Sequence, residues 1–188
     1  MYWRSPKYPY FRAAYSLLTG HFKPKAKLTD TLVTTHRAWP WDTDVFMELN
    51  NGRILTLFEL GRWPTVFQFG IARALWKSRI AFAIAGVSVR YRKRIPLMAK
   101  YTMVTKFECW DDRFIYANQT MWLGRECANQ MLIRIALRSP RGTITPDAFL
   151  VQAGMPQSSP PMPGWIAAWI EADNARPWPP EVDVAVAA

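Results

Sequence analysis

Residues 37–62 read RAWPWDTDVFMELNNGRILTLFELGR, and the fold turns on how this stretch is read. Two carboxylates, Asp42 and Asp44, stand two apart just after Pro40, which ends a strand-like run from Thr31 to Trp39. Asn50 and Asn51 follow. From there Ile54, Leu55, Leu57, Phe58 and Gly61 recur at three- and four-residue intervals, the spacing of a helix that is apolar on most sides. Asn50 is the expected N-cap, because its side-chain oxygen can accept an orphan N–H of the first turn. A loop acid held beside a helix N-terminus is a layout suited to attack on a carbonyl. The acid supplies a base or nucleophile, and the helix end supplies N–H donors for the developing oxyanion.

Downstream of this stretch, Pro64 is expected to kink or divide the helix, with a second piece running from Thr65 to about Trp76. Strand character then takes over. Ile80–Arg92 is β-branched and aromatic. Residues 101–109 alternate, and Trp110-Asp111-Asp112-Arg113 is a turn. Phe114–Trp122 is the next strand, and Cys127 to Ser139 alternates again after a turn at Leu123–Glu126. Short turns between successive strands imply antiparallel neighbours. Thr145-Pro146 reads as an N-cap with Pro at the first helical position, opening a short helix to about Gln152. Met155–Gly164 is rich in Pro and Ser and reads as a linker. Trp165–Asn174 is an amphipathic helix with Trp165, Ile166, Trp169 and Ile170 on one side, and the tail beyond Arg176 is expected to fray.

Upstream, residues 1–30 form an accessory segment. A short helix runs through Phe11–Leu18, with Pro9 near its start and Gly20 as its stop. Its aromatic and basic mixture suits docking on the domain, the favoured reading, or on a lipid surface.

The order is therefore strand, long helix, then four antiparallel strands. A long apolar helix ahead of one continuous sheet is best buried by wrapping the sheet around it, an α+β arrangement. The sheet keeps an open edge, so edge-to-edge dimerisation is expected. The organisation read from the chain is an accessory segment at 1–30, one domain at 31–154, and a linker, helix and tail at 155–188.

Composition narrows the classes. Apolar residues make up half of the chain and ten are Trp, which excludes a disordered chain. The longest apolar run, Ile80 to Val89, is far short of the roughly 20 residues that a spanning helix needs. The basic, aromatic N-terminus has no apolar block before a small-residue cleavage site, so no secretory signal is expected. The expected location is cytoplasmic, with a membrane-peripheral variant. Cys109 and Cys127 fit no metal spacing and read as free thiols. His21 and His36 are too few for a His-ligated metal or a His-based triad, and no metal is expected. The net charge of +10 favours an anionic partner: a phosphorylated cofactor, a membrane surface or nucleic acid.

The stretch Asp42-Thr43-Asp44-Val45-Phe46-Met47-Glu48-Leu49-Asn50-Asn51-Gly52-Arg53-Ile54 resembles the motif D-x-D-x-x-G-H-x-N-N-x-x-Y. That motif precedes the central helix in acyl-CoA thioesterases of the hotdog fold, in the 4-hydroxybenzoyl-CoA thioesterase-like branch. Val87–Lys93 and Glu108–Asp112 also look like strands of that family, and the resemblance covers about residues 31–150. It implies a hotdog fold and hydrolysis of a fatty or aromatic acyl thioester by a homodimer or higher homo-oligomer. Coenzyme A would be part of the substrate and not a resident cofactor.

Carried over, the resemblance makes Asp44 the catalytic carboxylate, as general base or as nucleophile. It places Asn51 where a backbone N–H polarises the thioester carbonyl, with Asn50 fixing the loop. Glu59 falls on a helix face that carries a catalytic acid in some relatives. Met47, Glu48 and Ile54 stand where the motif has Gly, His and Tyr. The first change implies altered loop geometry or a narrower pocket. The second puts an anion near Asp44, where like charge raises a carboxylate's pKa. Glu48 reads either as a catalytic acid or as an acid favoured by the helix dipole. Arg90, Arg92, Lys93 and Arg94 are candidates to hold the CoA phosphates, across a dimer interface, or form a solvated strand end.

Two alternatives remain open. One is a non-catalytic acyl-CoA or lipid-binding protein of the same fold, in peripheral contact with a membrane. The weaker is a single-strand nucleic-acid module, suggested by the aromatic and basic interleaving of Tyr2–Phe11 and Arg90–Arg94. No nucleic-acid motif supports it, so nucleic acid is not an expected partner.

Overall fold

The helix that opens at Asn51 is the axis of the molecule. In a computed structural model of the chain, which describes residues 8–180, helix α2 (Asn51–Gln68) lies between a curved antiparallel sheet and helix α1 (Tyr10–His21). The first residues of the aromatic, basic N-terminus and the DVAVAA tail lie outside the described residues. Asn50 caps α2 as expected: its side-chain oxygen accepts the Arg53 N–H at 3.1 Å. Leu57 and Phe58 are wholly buried, each worth about 1.5–3 kcal/mol relative to exposure. Gly61 is needed for close approach, since a Cβ there would stand 2.0 Å from the Met103 sulfur.

The strands are β1 (Leu32–Arg37), β2 (Ala81–Tyr91), β3 (Lys100–Trp110), β4 (Phe114–Leu123), β5 (Glu126–Ser139) and β6 (Gly142–Ile144). They pair in the order β1-β3-β4-β5-β2, with β6 also on β5, and every pairing is antiparallel. Strands β3, β4 and β5 follow one another as neighbours, as their short turns imply. β2 instead crosses to the far side and leaves its own outer edge free. Register shifts at Ile84/Gly86, Phe107/Cys109 and Met121/Trp122 bend the sheet around α2. The result is the α+β hotdog arrangement of a central helix wrapped by one sheet.

Two expectations about the helices are corrected. Pro64 neither kinks α2 apart nor ends it, and the helix runs on to Gln68. The break comes at Phe69–Ile71, where Gly70 takes φ 73°, and helix α3 (Ala72–Ser78) follows. Pro64 costs α2 one backbone hydrogen bond, but its ring is the contact point for α1. Gly20 is not a stop. It lies inside α1, where a Cβ would stand 2.6 Å from the Pro64 Cα.

Two helices follow the last strand: α4 (Pro146–Gln152) buries Phe149 and Leu150 in the core shared with α2, and α5 (Gly164–Ala175) packs on the outer face of the sheet. Thr145 caps α4 through the Ala148 N–H at 3.2 Å. α5 buries Ile166 completely against Cys109, Tyr116 and Leu132. Arg134 is held between the rings of Phe114 and Trp169 and paired with Asp173 at 2.7 Å. The segment leading to α5 is tied to the sheet where the Trp110 N–H meets the Ser159 hydroxyl at 2.8 Å. Among the described residues no helix is long and apolar enough to cross a membrane.

Candidate active site

The loop from Asp42 to Asn50 folds back on itself. Thr43 pairs with Leu49, the Asp44 N–H donates to the Glu48 carbonyl at 2.9 Å, and the Asn50 N–H donates to the Asp42 carbonyl at 3.0 Å. These bonds bring the two ends together at the start of α2. The loop is pinned in turn to the segment after β2, through Leu49 N–H to Ile95 and Leu97 N–H to Met47. At the turn Met47 takes φ 58°, the left-handed region that glycine adopts freely. The side chain stands out in solvent, 56% exposed, and the backbone carries the strain.

The two aspartates have separate jobs. Asp42 is fully buried. Its carboxylate accepts from Arg53 Nε at 2.8 Å and from Arg12 at 2.5 Å, so it joins the loop to α2 and to α1. Asp44 is half-buried, and one of its oxygens accepts the Phe46 N–H at 2.9 Å in a local turn. Its second oxygen has no hydrogen-bond donor among the described residues. Glu48 is ion-paired with Arg94 at 3.1 Å. The like charge expected beside Asp44 is therefore partly neutralised.

At the helix start the Arg53 N–H is taken by the Asn50 side chain and the Ile54 N–H by the Asn50 carbonyl. The N–H groups of Asn51 and Gly52 have no acceptor among the described residues and face solvent. They are the pair of donors that a thioester carbonyl would need. Tyr91, at the end of β2, donates its hydroxyl to the Asn51 carbonyl at 3.1 Å and holds this corner in place.

Glu59 lies two turns along α2, about 12 Å from Asn51 by helical rise. It does not join the loop acids. With Arg62 and Trp63 it lines a largely apolar cavity of about 160 Å³, walled by Val66, Phe69, Ile84, Phe107, Ile135 and Phe149. Arg62 donates to Gln119 at 2.5 Å, and Gln119 donates to Thr105 and to the Phe58 carbonyl. Burial lowers the Arg62 guanidinium to about 10, against the pull of Glu59 and Tyr8. Burial raises the Tyr8 hydroxyl, the hydrogen bond from Trp63 opposes this, and the Glu59 charge adds to it.

The basic group is divided. Lys93 is ion-paired with Glu126 and Arg94 with Glu48, while Arg90 and Arg92 are exposed and have no ion pair among the described residues. Arg90 shares the outer face of β2 with Ser88 and borders Trp165 and Trp169, on the side of the sheet away from α2. It is not gathered with Asp44.

Sequence reasoning missed Arg12, Arg53, Tyr91 and the role of His36. Arg53 sits inside the quoted stretch, and an arginine at the third helical position facing a buried Asp was a legible signal. Arg12 was not, since 30 residues separate it from Asp42. His36 stacks on Tyr101 with ring centroids 5.6 Å apart and shares a hydrogen bond with Thr34 at 2.8 Å. Burial, with help from the charges of Arg12 and Lys23, lowers its pKa to about 4. The unfolded chain takes up this proton near 6.5, so His36 favours folding above that pH and the gain is lost as pH falls toward 4. Denaturant melts at pH 7 and pH 4.5 should differ by an amount that shrinks by up to about 3 kcal/mol in His36→Gln.

Comparison with known proteins agrees with this architecture. The Escherichia coli YbaW probable thioesterase superposes with TM-score 0.61 at 17% identity, covering 67% of this chain and 99% of its own. An acyl-CoA hydrolase from Staphylococcus aureus, solved with butyryl-CoA and CoA, gives 0.56 at 12% identity, over 81% and 90% of the two chains. These likenesses concern the fold. In sequence, Protein THEM6 of Drosophila melanogaster is 32% identical over 113 residues, 58% of this chain and 58% of that protein. Protein THEM6 of Xenopus laevis is 26% identical over 114 residues, 58% of this chain and 54% of that protein. The chain thus matches a little over half the length of these curated relatives. The sequence profile of the thioesterase-like superfamily matches residues 38–170, from the motif loop through the sheet to α5, and the chain belongs to that superfamily.

Proposed function

We propose that the protein hydrolyses acyl-CoA thioesters, taking the thioester at the start of α2 and the acyl chain into the apolar cavity beside that helix. The observation that carries this reading is the pair of unpaired N–H groups at Asn51 and Gly52 next to a loop that holds Asp44 with one oxygen free. The donors would hold the carbonyl oxygen as it gains charge. Asp44 would either take a proton from the attacking water or attack the carbonyl carbon itself, and water would then release the acid. In both routes the C–S bond breaks, the acyl group leaves as a carboxylic acid, and the thiolate of CoA takes up the proton. The cavity's aliphatic and aromatic walls suit a fatty or aromatic acyl group. The CoA-bound neighbour solved from Staphylococcus aureus supports CoA as the carrier.

A homodimer formed along the free edge of β2 completes the proposal. Phe82, Ile84 and Val87 on that strand are 37–51% exposed, and Phe82 and Ile84 also line the cavity, so an added strand would close its mouth.

A second reading rests on one observation: Glu59, not Asp44, lines the cavity. On that reading Glu59 is the base, in a cavity wall that it shares with Arg62 and Trp63.

Thiol release from a panel of acyl-CoAs of increasing chain length tests the proposal. Turnover that rises with acyl length and then falls is expected. Thermal stabilisation by acyl-CoA without thiol release would replace the hydrolase by a binding protein.

A further inference from the structure

Helix α1 buries its small residues and displays its large ones. Ala13, Ser16 and Gly20 form the face against α2, with Gly20 on Pro64. The opposite face carries Phe11, Tyr15, Leu18 and Phe22, which are 94%, 69%, 61% and 78% exposed. Their spacing of four, three and four makes one continuous stripe. A helix that only completed a core would turn such residues inward.

Beside the stripe, a groove runs between α1 and the free edge of β1. Arg12, Lys23, Arg37 and Lys100 line it, Tyr15 borders it, and no acid does. Arg37 and Lys100 stand directly opposite each other in the β1–β3 register, a like-charge pair that favours an anion nearby. Residues 1–29 contain no acid at all, so the helix and the chain around it carry only positive charge.

We propose that this face docks on an anionic phospholipid bilayer, with the stripe entering the headgroup–acyl boundary and the groove holding lipid phosphates. Aromatic and aliphatic residues beside lysines and arginines are the pattern of a helix lying in a membrane interface. A second copy of the chain presenting this same face is the poorer occupant, because Lys23, Arg37 and Lys100 would meet their own counterparts. The inference is independent of the thioesterase reading.

The test is sedimentation of the full chain with vesicles of phosphatidylcholine alone, or with one third phosphatidylserine. Wild type should pellet only with the mixed vesicles, and less so as salt rises. Phe11→Ser with Phe22→Ser should abolish pelleting. Lys23→Gln with Lys100→Gln should weaken it about 30-fold, from about fivefold per removed cation. Circular dichroism checks that each variant is folded, and Tyr15→Ser with Leu18→Ser repeats the test on the same stripe. The proposal is overturned if wild type ignores both vesicles or if the stripe variants pellet like wild type. It is also overturned if they convert a dimer to a monomer in light scattering without changing pelleting.

Discussion

Asp44→Asn is expected to slow thiol release from acyl-CoA by about 10²–10⁴-fold while the unfolding midpoint stays where it was. The two halves of this expectation have different physical sources. Asparagine keeps a side-chain oxygen that can accept the Phe46 N–H, so the local turn persists and the loop keeps its bonds to Glu48, Asp42 and Ile95. What disappears is the anionic Asp44 oxygen that has no donor on it among the described residues, the group that would take a proton or attack carbon. Because the change is nearly isosteric, KM should hardly move and the loss should fall on kcat. Glu59→Gln is the companion measurement. On the Asp44 reading it alters chain-length preference through the cavity wall and leaves the rate on short substrates within a few-fold. If Glu59→Gln carries the large loss and Asp44→Asn does not, the chemistry belongs inside the cavity and the loop acid is a turn former.

The fold was legible because its signals are local. The alternation of β3 to β5, the Asn50 cap and the Thr145 cap each act within a few residues, and each appears where the sequence put it. The errors share a cause too. Pro64 and Gly20 were read as helix breakers from intrinsic preference, yet they meet each other across two packed helices, and that contact outweighs a lost hydrogen bond and a flexible residue. At Met47 the position takes a left-handed backbone angle, which methionine meets at a cost, and no spacing in the sequence announces that angle. The site was half visible. The motif names the loop and the helix start, but whether an acid is buried, paired or free depends on partners 11 to 46 residues away, such as Arg12, Arg53 and Arg94. No spacing rule reaches that far. The N-terminal segment was expected to dock on the domain, and α1 does pack on α2, but the sequence does not say that the small residues Ala13, Ser16 and Gly20 take the core.

Asp42→Asn should be the most destabilising single change at this site, costing about 3–5 kcal/mol in denaturant melts. The carboxylate is fully buried and, among the described residues, is the only acid within ion-pair distance of Arg53, whose side chain is 8% exposed, and of Arg12, at 21%. Asparagine cannot neutralise either, and its amide group turns donors toward donors. The penalty is then that of a buried uncompensated charge, most of it from Arg53, since Arg12 can reach water. At roughly 2–4 °C per kcal/mol for a chain of this size, the melting midpoint should fall by about 6–20 °C. Asp42→Leu combined with Arg53→Met should recover most of the loss, because it removes the buried pair together and leaves behind only the Arg12 charge, which can reach water. If the double variant is as unstable as Asp42→Asn, the cost lies in packing and not in charge. The same residue ties the helix start to both ends of the loop, through its side chain to Arg53 and its carbonyl to the Asn50 N–H. Turnover measured well below the melting midpoint should therefore fall in Asp42→Asn as well, and the double variant should restore stability more fully than rate, since it returns the balance of charge but not the tie that sets Asp44 against the helix N-terminus.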